Sequence, residues 1–305
     1  VGLSTLDFMA DHMLSDGGAM VASLSAIDAQ GREGAYYLFD LETLQRTLHK
    51  DELEVLRATW SLDGPAPFEQ GYLLVNQLPL NEVANGVGRP LADVHTLLAS
   101  AMAKLRILRR TRDLPVDDKQ LAGWNALALQ AFVAASVQTG AARYTNIARG
   151  IKVYLEETLW RDGTLYRAIA DDEPLGVVTL ADYAYLARAL LDFARWSGDS
   201  ADFRLATQVA KAGWRDFRIA NGWRREPGIA LADSGLHESF SDGSLPAPDA
   251  VLAKVSLQLA RAGADPVLSH WARAMLDRAY DTVAQNPFSH ASRLAALALA
   301  VSDEG

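Results

Sequence analysis

Three aspartates, Asp28, Asp182 and Asp242, are the carboxylates whose surroundings best suit acid–base chemistry. Asp28 lies in an apolar stretch, Asp182 stands directly before Tyr183, and Asp242 opens a short loop that runs to Asp249. Trp124, Asn125, Tyr183, Glu33 and Asp249 are the matching candidates for substrate binding. Such a set suits a sugar: ring faces stack on aromatic side chains, hydroxyls bond to amides and carboxylates, and a carboxyl can move a proton. Carboxylates about 5–5.5 Å apart would fit a retaining glycosidase, and roughly 6.5–9.5 Å an inverting one. An epimerase would instead need acid and base on opposite faces of one carbon. Sequence spacing does not choose among these, so whether the chain is an enzyme at all, isomerase-like or glycosidase-like, is left open.

Each candidate also has a structural reading. Asp28 braces a turn as readily as it does chemistry, Asp182 fits the cap of a helix beginning there, and Asp242 before Gly243 is an ordinary turn residue. Trp124 lies on an apolar face and reads as core ahead of ligand platform. Asn125 is harder to absorb, because an amide inside a helix needs something to bond. Asp117 followed by Gln120 reads as a capping-box-like helix start, and Asp118-Lys119 as a solvated first turn. No metal is expected: His12, His49 and His95 are isolated, and His237 (beside Glu238), His270 and His290 are too scattered. No cofactor is expected either, since Gly86-Val87-Gly88 lacks the strand-then-helix context of a phosphate loop.

The elements that must position these residues repeat. Three times an amphipathic helix ends at a turn containing glycine, at Gly140, Gly198 and Gly263, and a second helix follows at once. Asp199, Asp202 or Asp265 can cap the second helix, and Pro266 suits a first helical position. Trp124, Leu127, Ala128, Ala131 and Phe132 keep helical spacing, as do Leu180, Tyr183, Ala184, Ala187 and Leu191. The first helix of each pair is apolar over more of its circumference than the second, as expected of inner and outer helices. Asp162-Gly163 and Asn221-Gly222 mark tight turns in the returning segments. Hairpins linked this way build an all-α, (α/α) toroid with small β-hairpins at its mouth. The candidate residues fall at or just before inner-helix starts, so three repeats send polar and aromatic groups to one mouth.

Residues 1–40 read as the second helix of an early hairpin followed by a β-hairpin, in which Met20–Asp28 pairs with Gly34–Phe39. Residues 41–115 read as an inserted helical segment and 116–305 as three helical hairpins, all within one domain. Three pairs and a half do not close a ring, which predicts a toroid incomplete in this chain and a second polypeptide or an upstream segment completing it.

Half of the 305 residues are hydrophobic, enough for a sizeable core, and there is no cysteine, which excludes disulfides and thiolate sites. The net charge of -9 argues against nucleic-acid or anionic-membrane partners. The cluster Arg106, Arg109, Arg110 and Arg112 is explained by a helix C-terminus. No apolar run is long enough to span a bilayer and no signal segment is visible, so a cytoplasmic location is expected.

Four motifs carry a resemblance. Val116–Leu127 resembles "DDKxLTxWNGL", Ser25–Tyr37 resembles "SALDADSEGEEGxFY", Ala181-Asp182-Tyr183-Ala184 resembles "EDYAF", and Ser241–Pro246 resembles "FDGATPSGN". In that order and spacing they resemble the C-terminal toroid region of the thioredoxin-domain-containing (DUF255-type, spermatogenesis-associated thioredoxin-like) family. The resemblance implies a toroid similar to N-acylglucosamine 2-epimerases and six-hairpin glycosidases, preceded by a thioredoxin-like domain. It also implies a sugar-like small molecule as ligand. This chain departs from the pattern at Ala122-Gly123, Gln30 and Ala247-Pro248-Asp249. Those losses keep open the alternative of a non-catalytic scaffold working with a thioredoxin-like partner.

Overall fold

The computed structural model describes residues 2–170, 172–220, 222–224 and 240–302. In chain order the described helices are α1 (Gly2–His12), α2 (Leu41–Thr47), α3 (Lys50–Trp60), α4 (Leu80–Val87) and α5 (Leu91–Arg110). There follow α6 (Ala122–Thr139), α7 (Ala142–Tyr154), α8 (Leu180–Ser197), α9 (Ser200–Phe217), α10 (Pro248–Arg261), α11 (Val267–Gln285) and α12 (Ala291–Val301). The chain divides into two compact units, residues 1–22 with 118–305, and residues 23–117. His237 and Glu238 lie outside the described residues, as does Asn221.

The first unit is an arc of an (α/α) toroid. The hairpins α6–α7, α8–α9 and α10–α11 set α6, α8 and α10 side by side, and α12 packs against α10 as the next member of the inner row. Two of the hairpin turns close on a left-handed glycine, Gly140 at φ 67° and Gly198 at φ 74°, whose amides bond back to Ser136 and Ala194. Asp199 and Asp265 then accept the amides of Ala201 and Val267 at the start of the outer helices, as their spacing predicts. The core that results is rich in aromatics, with Phe132, Tyr183, Trp214 and Phe217 at most 1 % exposed. Trp214 leaves no orphan donor, since its indole N–H reaches Ser256 Oγ at 2.8 Å.

One local expectation is corrected here and another is met. The helix at α6 starts at Ala122, not at Asp117, which instead pairs with Ser23 in a two-residue strand. Its first amides are met from elsewhere in the chain: Ala122 N–H by the Arg167 carbonyl and Gly123 N–H by Asp182. The turn Asp162-Gly163 does form the expected hairpin, Trp160–Arg161 against Thr164–Leu165.

The second unit packs α2, α3 and α5 around Leu44, Leu56, Trp60 and Leu105, and α4 joins α3 and α5 through Val83, Ala84, Val55 and Val94. Glu52, 3 % exposed, is its internal anchor, accepting Ser100 Oγ at 2.7 Å, Lys104 Nζ at 2.7 Å and the His49 amide at 2.8 Å. Burial works against its charge, but these three donors outweigh it and hold the carboxyl at about 2. The expected hairpin of residues 20–39 is only partly realised. Ile27 bridges Glu33, whereas Ser23–Leu24 pairs with Val116–Asp117 and Phe39 with Tyr72. Arg112 fastens this segment by donating to the carbonyls of Ala35, Tyr36 and Leu38, while Arg109 lies over the rings of Tyr36 and Tyr37.

Candidate functional site

Of the eight predicted site residues, six belong to the helical unit and two, Asp28 and Glu33, to the unit of residues 23–117. Within the helical unit a series of polar bonds ties the starts of α6, α8, α10 and α12 to one another, so that all four inner helices begin at one end. Asp182 is the first tie. Its Oδ2 accepts the Thr179 amide and hydroxyl in a capping box, and its Oδ1 crosses to the amide of Gly123 at 3.0 Å. The approach is close enough to need glycine, since a Cβ on Gly123 would stand 2.8 Å from that oxygen.

Tyr185, which sequence reasoning did not single out, is the second tie. It donates from α8 to the carbonyl of Pro246, just before α10, at 2.8 Å. Burial pushes its phenol up, and the carboxylates of Asp182 and Asp242 push it further in the same direction, so both charges are felt at this hydroxyl. Asp242 links the loop before α10 to the start of α12, accepting Ala247 N–H at 2.8 Å and Ser292 N–H at 2.7 Å. Burial disfavours its charge, yet the two amides prevail and hold the carboxyl below the usual range. Asp249, on the first turn of α10, forms a buried pair with Arg293 of α12 at 2.7 Å, and Arg293 also meets Nδ1 of His290 at 3.1 Å. Burial drives the Asp249 carboxyl up against the pull of that guanidinium. Arg293 too was missed; its only sequence signal is a lone charge within the apolar run of α12.

Asn125 and Tyr183 turn inward. The Asn125 side chain is fully buried, accepting Met20 N–H at 2.7 Å and donating to the carbonyls of Met20 and Leu121. The Tyr183 hydroxyl accepts Leu165 N–H at 3.0 Å and donates to Asp216 at 3.3 Å, and burial raises its pKa to about 12. Trp124 does the opposite of what its apolar neighbours predict: it is 52 % exposed on the first turn of α6, at the end where the inner helices begin.

In the other unit Asp28 closes its own turn. It accepts the amides of Gln30 and Arg32 and the Arg32 guanidinium, at 2.7 Å for Nη2, which holds its carboxyl below the usual range. Glu33 lines an open groove with Tyr37 and Phe68. Among the described residues no three histidine, aspartate or glutamate side chains stand close enough to hold a metal, and no helix is long and apolar enough to cross a membrane.

No family model matches the chain. It is similar to human spermatogenesis-associated protein 20, with 26% identity over 271 residues, 75% of this chain and 33% of that protein. The four motifs imply a spermatogenesis-associated family, and this relative carries that name. The aligned region spans about a third of the relative's length. Among solved structures, the Lin0763 protein of Listeria innocua superposes with a TM-score of 0.46 at 13% identity, over 99% of this chain and 96% of that one. A sugar epimerase from a ruminal bacterium gives 0.43 at 16% over 54% and 44%. The cellobiose 2-epimerase of Spirochaeta thermophila gives 0.40 at 15% over 52% and 42%.

Proposed function

We propose that the helical unit is a carbohydrate-binding domain of the toroid kind, in which the carboxylates hold the inner helices in register and do not transform the sugar. The observation that carries this reading is Trp124, a half-exposed indole on the first turn of α6, next in sequence to Gly123, whose amide Asp182 accepts; the carboxylates of Asp182, Asp242 and Asp249 already accept structural bonds at the starts of the inner helices. An exposed indole offers the flat apolar face on which a sugar ring stacks. Asp28, Asp182 and Asp242 remain the groups to test for proton transfer. Titrating the chain with a panel of mono- and disaccharides by calorimetry is the direct test. Trp124→Ala is expected to weaken the best ligand about tenfold or more, and Asp242→Asn, if the reading holds, to leave bound sugar chemically unchanged as wild type does. Turnover of any sugar that Asp182→Asn or Asp242→Asn abolishes would replace this reading with an enzymatic one.

A partner is part of the proposal. Helix α6 is apolar all round, the profile of a helix buried on every side. Yet Leu127 and Ala131 are only half covered, and Ala134 and Val137 are exposed, making one apolar stripe along it. We infer that another helical polypeptide lies along the Ala131 to Val137 end of this stripe, stopping short of Trp124 on the same face, so that the indole stays open to a sugar. Native mass spectrometry of the chain from its own cells is expected to find a heavier complex that Val137→Asp disrupts. A monomer with unchanged behaviour in that variant would count against it. A cytoplasmic setting belongs to the same reading, supported by the lack of a membrane-crossing helix among the described residues.

A further inference from the structure

The groove of the 23–117 unit stands apart from the sugar reading and does not depend on it. It measures about 710 Å³ and runs between two wall segments, residues 31–38 and 68–73. The walls are fixed to each other through paired backbone, Phe39 N–H to the Tyr72 carbonyl at 3.1 Å and Tyr72 N–H to the Phe39 carbonyl at 2.9 Å. Gly71 permits that approach: at φ 120° its backbone passes so near that a Cβ would lie 2.4 Å from the Phe39 oxygen. The groove is therefore built into the fold of this unit, with both walls anchored.

Its lining combines apolar side chains, Tyr37, Leu38, Phe68 and Leu73, with charged ones, Arg32, Glu33 and Glu69. Phe68 and Leu73 are each about half exposed, and the Tyr37 ring already carries the guanidinium of Arg109 on it at 5.7 Å. Of the charged groups, Arg32 is neutralised by its paired bonds to Asp28. Glu33 and Glu69 have no ion-pair partner among the described residues. Two uncompensated carboxylates beside an exposed aromatic face complement a cation on an apolar stem, since a ring face attracts a cation and the carboxylates neutralise it. A neutral sugar would leave both charges unmatched.

We propose that this groove binds an arginine or lysine side chain of an extended peptide, its charged head between Glu33 and Glu69 and its methylene stem over Phe68. The probe is N-acetyl-arginine amide, followed by amide chemical shifts of the full chain, with the neutral isostere N-acetyl-citrulline amide alongside. The arginine compound is expected to move amides of residues 31–38 and 68–73, with citrulline at least about tenfold weaker. Glu33→Gln with Glu69→Gln should weaken arginine binding about tenfold and leave citrulline unaffected. Equal binding of the two compounds by the wild-type chain would overturn the proposal, as would the same amides responding only to a neutral disaccharide. Silence at about 10 mM arginine compound would do so too.

Discussion

Arg293→Met is expected to destabilise the helical unit by about 3–5 kcal/mol, because it strands a buried carboxylate. Asp249 is 1 % exposed and Arg293 5 %. The guanidinium places Nε and Nη2 on one carboxylate oxygen at 3.2 and 2.7 Å, while the other oxygen accepts the neighbouring Ala250 amide. Methionine fills the volume but offers no charge, and burial then acts on Asp249 unopposed, so its carboxyl rises further. The sign follows from proton binding. With a folded pKa above the unfolded one, the native state holds a proton that the unfolded chain has released. Stability therefore falls as pH climbs from the ordinary carboxylate range to the raised folded value, and is level beyond it. Urea midpoints should show the variant's deficit to be larger at pH 8 than at pH 5. Adding Asp249→Leu removes the stranded charge and should recover most of the loss, since the two positions share one interaction. Simply additive losses in the double variant would mean that the pair is not what joins α10 to α12.

The same pair explains how much of the site could be read in advance. The hairpin repeat was legible because its signals are local: a glycine that closes one helix stands within two or three residues of the aspartate that opens the next, as at Gly198 and Asp199. The carboxylates' positions at helix starts were legible for the same reason. Their partners were not. Asp182 meets Gly123 at a separation of 59 residues and Asp249 meets Arg293 across 44, and no local pattern announces either. Non-local pairing also accounts for the misread strand, where Ser23 takes Asp117 as its partner. Helix α12 escaped the repeat count because no second helix and turn follow it within the described residues. Trp124 was misjudged on composition: its neighbours are apolar, but the face on which it stands meets solvent. The departure Ala122-Gly123, which in sequence looked like a lost polar group, has a physical reason in the closeness of the Asp182 carboxylate to Gly123.

Asn125 carries the other large effect, and it concerns how the N-terminal strap is held. Residues 13–21 fold back on themselves, with Val21 N–H on the Met13 carbonyl at 2.8 Å and Leu14 bridged to Met20. Gly18 crosses Gly150 of α7 so closely that a Cβ on either would sit 3.4 Å from the other's backbone. Asn125 is the polar clamp at the end of this strap, since its amide satisfies both the N–H and the carbonyl of Met20. Asn125→Leu keeps size and helix propensity while leaving both groups buried and unpaired, each at about 1–3 kcal/mol, so a loss of roughly 2–6 kcal/mol is expected. Asn125→Asp separates clamp from volume. Its carboxylate still accepts Met20 N–H but faces the carbonyls of Met20 and Leu121 with nothing to donate, a repulsion that protonation relieves. This variant should therefore be weak at pH 7 and regain stability as pH falls, the reverse of a carboxylate held by donors. Hydrogen exchange locates the effect: faster exchange at residues 13–22 with α8 and α9 unchanged identifies a clamp on the strap. Uniform loosening of every helix would assign Asn125 to the core as a whole.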